Sequence, residues 1–242
     1  MKSSLKKKIA HAVGKAIFEW DMILDKEKIL VGISGGKDSQ ALLNILFALK
    51  KKAPVDYEIL PVHIDAGFKD SFAKDLGQYV EQAYGPLKIE YKNYGTVAHS
   101  HENTENPCFL CSRLRRNRLF EMAKEHGCKK IALGHTKDDI IETLFINMFY
   151  AGKIATMKPK QSLFGGTLDI IRPLSYVEQK DITGFAQSLG LPEFKNNCPS
   201  ADKTKRTEIR QILKTLYAQN GNIKGNIFRS LKNIAPEYLL SR

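Results

Sequence analysis

The sequence contains no apolar run long enough to span a membrane. It also lacks internal repeats, and its only low-complexity segment is the short lysine run at residues 6–8. Acidic residues are scarce: 26 Asp and Glu face 38 Lys and Arg, leaving a net charge of +12. A surface of that sign suits a polyanionic partner such as nucleic acid. Cysteines number four, Cys108, Cys111, Cys128 and Cys198. A chain of 242 residues with 43% hydrophobic composition can build a core without disulfides, so reduced thiols in a metal or redox site are expected. A secretory signal is not expected, because His11 and Lys15 interrupt the apolar part of the first segment. Leu5, Ile9, Val13, Ile17, Trp20 and Leu24 instead recur at helical spacing. A cytoplasmic protein that does not meet a membrane is the expectation.

What is present is an alternation of strand and helix. "KILVGI", "YEILPVHI", "LKIEYKNY" and "KKIALGH" read as strands. Helices are expected from Asp38 to Lys52, over "SFAKDLGQYVEQAYG", from Cys108 to about Gly127, and over "DDIIETLFINMFYAG". This pattern predicts an α/β fold, an open parallel sheet with helices on both faces. After Lys158, two short strands around a Gly-Gly turn are expected. A helix over "SYVEQKDITGFAQSLG", beginning after Pro173 and ending at Gly190, a loop, a basic helix from about Lys203 and a helical C-terminal extension follow. Three segments result: 1–27, an amphipathic helix; 28–190, the nucleotide-binding domain with the Cys-x-x-Cys; and 191–242, a loop with Cys198 and a basic helical tail. Ligands in such sheets bind beyond the carboxyl ends of the strands, so the turns after Ile33, Ile64 and Leu133 should line one site.

The turn after the first strand, "ISGGKDS", excludes two familiar phosphate motifs. A Walker loop needs Ser or Thr directly after its Lys, and here Asp38 follows Lys37. The dinucleotide pattern fails because Ser34 takes the second glycine position counted from Gly32. The chemistry still suits phosphate. Gly35 and Gly36 allow close backbone approach. The N–H groups opening the next helix favour an anion, and Ser34, Lys37 and Ser39 add donors. Asp38 beside an anion calls for a bridging Mg²⁺.

"PCFLCSRLRR" places Cys108 and Cys111 at the opening of a helix, where thiolates are favoured. Cys198 lies far along the chain in "KNNCPS", and Cys128 at a helix–strand junction reads as structural. Spacing alone leaves structural zinc and an iron–sulfur cluster equally open. A redox pair would leave Cys198 idle. Three cysteines on a [4Fe–4S] cluster leave one iron without a protein ligand, where sulfide can bind.

"SGGKDS" after a strand resembles the PP-loop of the ATP pyrophosphatases, the adenine nucleotide alpha hydrolase-like fold. "CFLCSRLRR", "LGHTKDDIIETLFINMFYAGK", "KPK", "IIRPLSYVEQKDI" and Cys198, in that order, resemble the tRNA 2-thiocytidine synthetase (TtcA) family over most of the chain. The resemblance implies a tRNA sulfurtransferase. It would use ATP to adenylate a pyrimidine C2 oxygen, and sulfur would replace that oxygen, most simply at cytidine 32 of the anticodon loop. It implies Cys108, Cys111 and Cys198 as ligands of a [4Fe–4S] cluster. It implies Ile33, Ser34, Gly35, Gly36, Lys37, Asp38, Ser39, His63, Ile64, Asp65, Gly134 and Asp139 at ATP, with Lys37, Asp38 and Asp138 in catalytic or Mg²⁺-binding roles. Partners would be tRNA and a sulfide donor such as a cysteine desulfurase, with a homodimer allowed.

Basic residues decorate the helices next to the cysteines. Arg113, Arg115, Arg116 and Arg118 on one, and Lys203, Lys205, Arg206 and Arg210 on the other, are expected at RNA phosphates. Three alternatives stay open. One is a 2-thiouridine synthetase of related type, although those enzymes also carry zinc fingers that four cysteines cannot supply. Another is a cluster-free thiolase using a persulfide or zinc. The third is a basic tRNA-binding protein without catalysis.

Overall fold

The structure, a computed structural model, describes residues 2–195, 197–201 and 204–240. It divides into two compact units. One comprises the chain to Thr136 with Lys158–Ala201, and the other Lys137–Met157 with the residues after Ala201.

The first unit holds a six-stranded sheet of β1 (Glu27–Gly32), β2 (Tyr57–Asp65), β3 (Lys88–Tyr91), β4 (Lys130–Ala132), β5 (Lys160–Leu163) and β6 (Leu168–Ile171). The order is β3-β2-β1-β4-β6-β5. Every pairing is parallel except β5 with β6, the edge hairpin formed around Gly165 and Gly166. One antiparallel edge on an otherwise parallel sheet is a common arrangement. The expected open α/β sheet is therefore present, with a hairpin closing one edge.

Alternation along β1 assigns the two faces. Ile29 and Val31 join a core built with α1 (Lys2–Glu19), α2 (Lys37–Lys50), α3 (Ala73–Tyr84) and α7 (Gln179–Leu189). Leu30, with Val62, Ile64 and Ile131, faces Met122 and Ala123 of α5 (Pro107–Glu125). Successive side chains on a strand point to opposite faces, so the near-continuous apolar reading of "KILVGI" follows from burial on both sides. Leu42, Leu43 and Leu46 bury one stripe of α2, each contributing about 1.5–3 kcal/mol of transfer free energy. Asn106 fixes the start of α5, its side-chain oxygen accepting from the backbone N–H of Cys108 at 3.0 Å and of Phe109 at 3.2 Å. Pro107 at the first helical position reinforces that start.

Three local expectations change. Leu24 lies beyond α1 and is exposed, while Ala16 takes a buried place on that helix. The polar stretch before Pro107 contains a short helix, α4 (Tyr94–Ala98), that its composition does not announce. The helix expected just after Pro173 starts only at Gln179, because Pro173–Tyr176 forms a 3₁₀ turn that buries Leu174. Gly190 closes α7 in the left-handed conformation, φ 63°.

The second unit contains α6 (Lys137–Ala151), α8 (Lys205–Gln219) and α9 (Ile223–Ser230). Its own small core is Ile141, Ile209 and Leu213 with Phe145, Leu216 and Phe228 packed against them. No helix among the described residues is long and apolar enough to cross a membrane.

Candidate active site

β1 delivers Ile33 to the edge of the sheet, and residues 34–36 turn into α2. Ser39 organises this turn from inside. Its hydroxyl accepts from the Ser34 N–H at 3.1 Å, donates to the Gly36 carbonyl at 2.9 Å and lies 3.2 Å from the Ser34 hydroxyl. Gly35 has φ +87°, and a Cβ there would meet the Phe72 ring at 2.6 Å. Glycine is required on both counts. Gly36 flanks α2 in extended conformation, leaving the first N–H groups of the helix without intrahelical partners. Gly134, at the end of β4, has a different reason to be glycine. Its Cβ would come within 3.0 Å of the Asp38 and Ser39 backbone, so it lets β4 approach the start of α2.

His63 braces the end of β1. It is buried, and its Nδ1 donates to the Ile33 carbonyl at 2.7 Å. Burial, joined by the nearby Arg115 guanidinium, pushes its pKa down, so the ring is neutral at neutral pH. Ile64 packs into the core under α5. Asp65 is buried and shapes the following turn, accepting from the Gly67 N–H at 2.7 Å and from the Ser71 hydroxyl. Asp38 accepts from Gln179 Nε2 at 2.6 Å, which anchors the start of α2 to the start of α7.

The loop after α7 leans on the same turn. Phe194 N–H donates to the Gly35 carbonyl at 3.1 Å, and the Phe194 ring stacks on Phe72 at 5.6 Å. Gln40 Nε2 bridges the Gly35 carbonyl at 2.8 Å and the Pro192 carbonyl at 2.6 Å. Glu193 pairs with Lys37 at 2.9 Å, and that ammonium holds the Glu193 carboxyl below its usual range. Further along, Ser200 is tied to His99 Nε2 at 2.8 Å, while His99 Nδ1 is 2.8 Å from the Gly95 carbonyl. Cys198 sits between these two anchorages.

Cys108, Cys111 and Cys198 are all free thiols and all half-buried. Burial raises the Cys111 pKa, Arg115 opposes that rise, and the nearby Cys198 and Cys108 thiols add to it. Cys111 is thus within electrostatic reach of both other cysteines, although Cys198 is 87 residues away in sequence. Cys128 takes no part: it is buried in the core under α5, and burial raises its pKa. Among the described residues no three His, Cys, Asp or Glu side chains already stand as a metal-binding group. In residue type the three half-buried thiols fit the donor set of a three-cysteine iron–sulfur site.

The model of the PP-loop domain matches residues 1–216. A tRNA-cytidine(32) 2-sulfurtransferase of Geotalea daltonii is 36% identical over 246 residues, covering 100% of this chain and 97% of its own length. The chain belongs to the tRNA-cytidine(32) 2-sulfurtransferase family. A member from Neisseria meningitidis serogroup C is 41% identical over 242 residues, covering 98% of this chain and 75% of that protein. The fold is shared with the U34-tRNA thiolase NcsA of Methanococcus maripaludis, solved with its [4Fe–4S] cluster. The TM-score is 0.80 at 23% identity, over 99% of this chain and 81% of that one.

In this member of the family the remaining site candidates divide by what they touch. In the second unit, Asp138 pairs with Lys224 at 2.7 Å, and Asp139 with Arg206 at 3.1 Å. Arg206 and Arg210 both reach Glu142, at 3.1 and 2.8 Å, and Lys205 reaches Glu208 at 3.0 Å. The charge that the sequence offers on α8 is therefore largely balanced within that unit. Lys203 lies outside the described residues. On α5, Arg113 makes a two-pronged contact with Glu105 at 2.9 and 2.7 Å. Arg115 acts on both Cys111 and His63, and Arg116 is exposed.

Arg118 has a structural part. It donates to Glu90, Glu121 and Glu125 at 2.6–3.2 Å, joining β3 to the far end of α5. Hydrogen bonds from Arg118 hold Glu90 and Glu125 below the usual carboxylate range. A depressed carboxyl stabilises the fold above its unfolded pKa, and that stability is lost as pH falls through the lowered value. Arg118→Gln is expected to lower the thermal midpoint at pH 7 by about 3 °C. It should leave tRNA affinity unchanged and narrow the difference as the scan moves to acid pH. A loss of tRNA affinity without a thermal shift would reverse the assignment.

Gln40, Phe72, His99, Glu193, Phe194 and Ser200 help to hold the site together but carry no motif signal of their own, whereas Gln179 falls within "IIRPLSYVEQKDI". Only proximity in sequence to Ser39 or Cys198 marks some of the others, and His99 is joined to the site by tertiary contacts alone.

Proposed function

We propose that this protein is an ATP-dependent sulfurtransferase that replaces the C2 oxygen of a tRNA cytidine with sulfur, forming 2-thiocytidine at position 32. The observation that carries the reading is the loop 191–201. It rests on the phosphate turn through Phe194 and Gly35 and brings Cys198 to Cys111. In this reading, activation and sulfur delivery both lie beyond the carboxyl ends of the strands.

The balance of the reaction is simple. The C2 oxygen attacks the α-phosphorus of ATP and pyrophosphate leaves. Sulfide then adds at C2, AMP leaves with the oxygen, and no net oxidation occurs. In this reading the N–H groups at the start of α2, the Ser34 and Ser39 hydroxyls and Lys37 hold the departing pyrophosphate, where developing charge is largest. Mg²⁺ would be held against the phosphates by the carboxylate of Asp38. A [4Fe–4S] cluster on Cys108, Cys111 and Cys198 would supply the sulfide at the position no cysteine occupies. Arg115, one turn beyond Cys111, balances the negative charge of the thiolates.

The experiment is incubation of anaerobically purified, brown protein with ATP, Mg²⁺, sulfide and unmodified tRNA. Nucleoside mass spectrometry should show 2-thiocytidine, with one AMP and one pyrophosphate per sulfur. AMP and pyrophosphate without a thionucleoside, or no turnover at all, overturns the reading. A 2-thiouridine product would move the target to another nucleoside. Full activity of a colourless preparation would remove the cluster from it.

A further inference from the structure

Arg172 follows the last residue of β6 and is only 5% exposed. Its Nη1 donates to the Lys158 carbonyl at 2.6 Å, while the buried Nε has no hydrogen-bond partner among the described residues. Among the described residues no carboxylate is paired with it. Burial lowers its pKa to about 10, and a second cation, Arg116 of α5, adds to that lowering. A buried guanidinium beside another arginine is costly unless an anion completes the arrangement. The planar fork of arginine suits the two free oxygens of a phosphodiester.

The position in the sheet separates this anion from the pyrophosphate. β4 lies between β1 and β6. Two strand spacings put the end of β6 about 10 Å from the end of β1, farther than one pyrophosphate reaches. Arg116 is exposed on the helix that opens with Cys108 and Cys111.

We propose that Arg172 and Arg116 form a binding site for a backbone phosphate of the RNA substrate, anchoring the nucleotide strand beside the cysteine-bearing helix. This rests on the reading of the chain as a tRNA-modifying enzyme. Arg172 supplies the fixed, buried fork and Arg116 the exposed arm that meets the phosphate first. Lys158 contributes through its backbone, whose carbonyl aligns the guanidinium.

The test measures tRNA binding across a salt series, with ATP binding measured separately, for the wild-type protein, Arg116→Gln, Arg172→Gln and Arg172→Lys. Both glutamine variants should weaken tRNA binding about tenfold and reduce the salt slope by about one, with ATP affinity unchanged. Arg172→Lys should weaken binding while keeping the slope, because the charge remains and the fork is lost. Folding is checked by circular dichroism. If Arg172→Gln does not fold, the Arg116→Gln and Arg172→Lys results decide. Folded variants with wild-type tRNA affinity and slope overturn the site, as does a loss of ATP affinity alone. Failure of the wild-type protein itself to bind tRNA would instead sink the proposed function.

Discussion

Cys198→Ala is expected to yield a folded, colourless protein that makes no thionucleoside. The thiol is half-buried in a loop, so its loss removes little packing, and the thermal midpoint of the metal-free protein should stay within about 1 °C. Two remaining cysteines cannot hold a cluster as three do. The broad visible absorption of anaerobic preparations should vanish, and thiolation should fall by a factor of about 10³ or more. Cys128→Ala is the matched control. That thiol lies in the core under α5. Its removal should cost about 1 kcal/mol of stability and leave absorption and turnover intact. Iron content and colour unchanged in Cys198→Ala would mean that the late loop does not ligate metal. The same result in Cys108→Ala or Cys111→Ala would abolish the whole arrangement.

Lys37 gives the second large effect. Lys37→Gln should lower the adenylation rate about 10²–10³-fold, the usual consequence of removing a positioned charge from a departing anion. tRNA affinity should not change. Its partner Glu193 should act in the opposite sense. Lys37 is held by the Glu193 carboxylate at 2.9 Å, and an ATP phosphate needs the same ammonium. Glu193→Gln should therefore tighten ATP binding by about three- to tenfold at low salt, with the gain shrinking as salt screens this surface pair. The effect also has a pH sense. The depressed Glu193 carboxyl keeps its charge at neutral pH and loses it only in acid, so wild-type and Glu193→Gln affinities should converge as pH falls through that range. Equal affinities at pH 7 would show that the ion pair does not compete with nucleotide. A slower rate in Glu193→Gln would show that it positions Lys37 for the reaction instead.

The local chemistry of this protein could be read from the chain because each signal there is short-range. Strand–helix alternation, the Ser-Gly-Gly turn before a helix and the helix opening at Pro107 depend on neighbours a few residues apart. So does Gly35, whose positive φ excludes side chains before any contact is considered. The resemblance to known thiolases added the ligand trio and the substrate class.

Tertiary structure decided which partners those residues meet. His63, expected near the nucleotide, is buried and donates to the Ile33 carbonyl. Gly134 answers to the α2 backbone. Arg118, Arg206 and Arg210 carry the same charge in sequence as Arg116, yet carboxylates from distant segments balance theirs, while Arg116 stands near a second, buried arginine. A residue's charge belongs to the sequence. Whether that charge is available to a ligand depends on which partners the fold places within a few ångströms, because electrostatic and hydrogen-bond energies fall steeply with distance and solvent exposure.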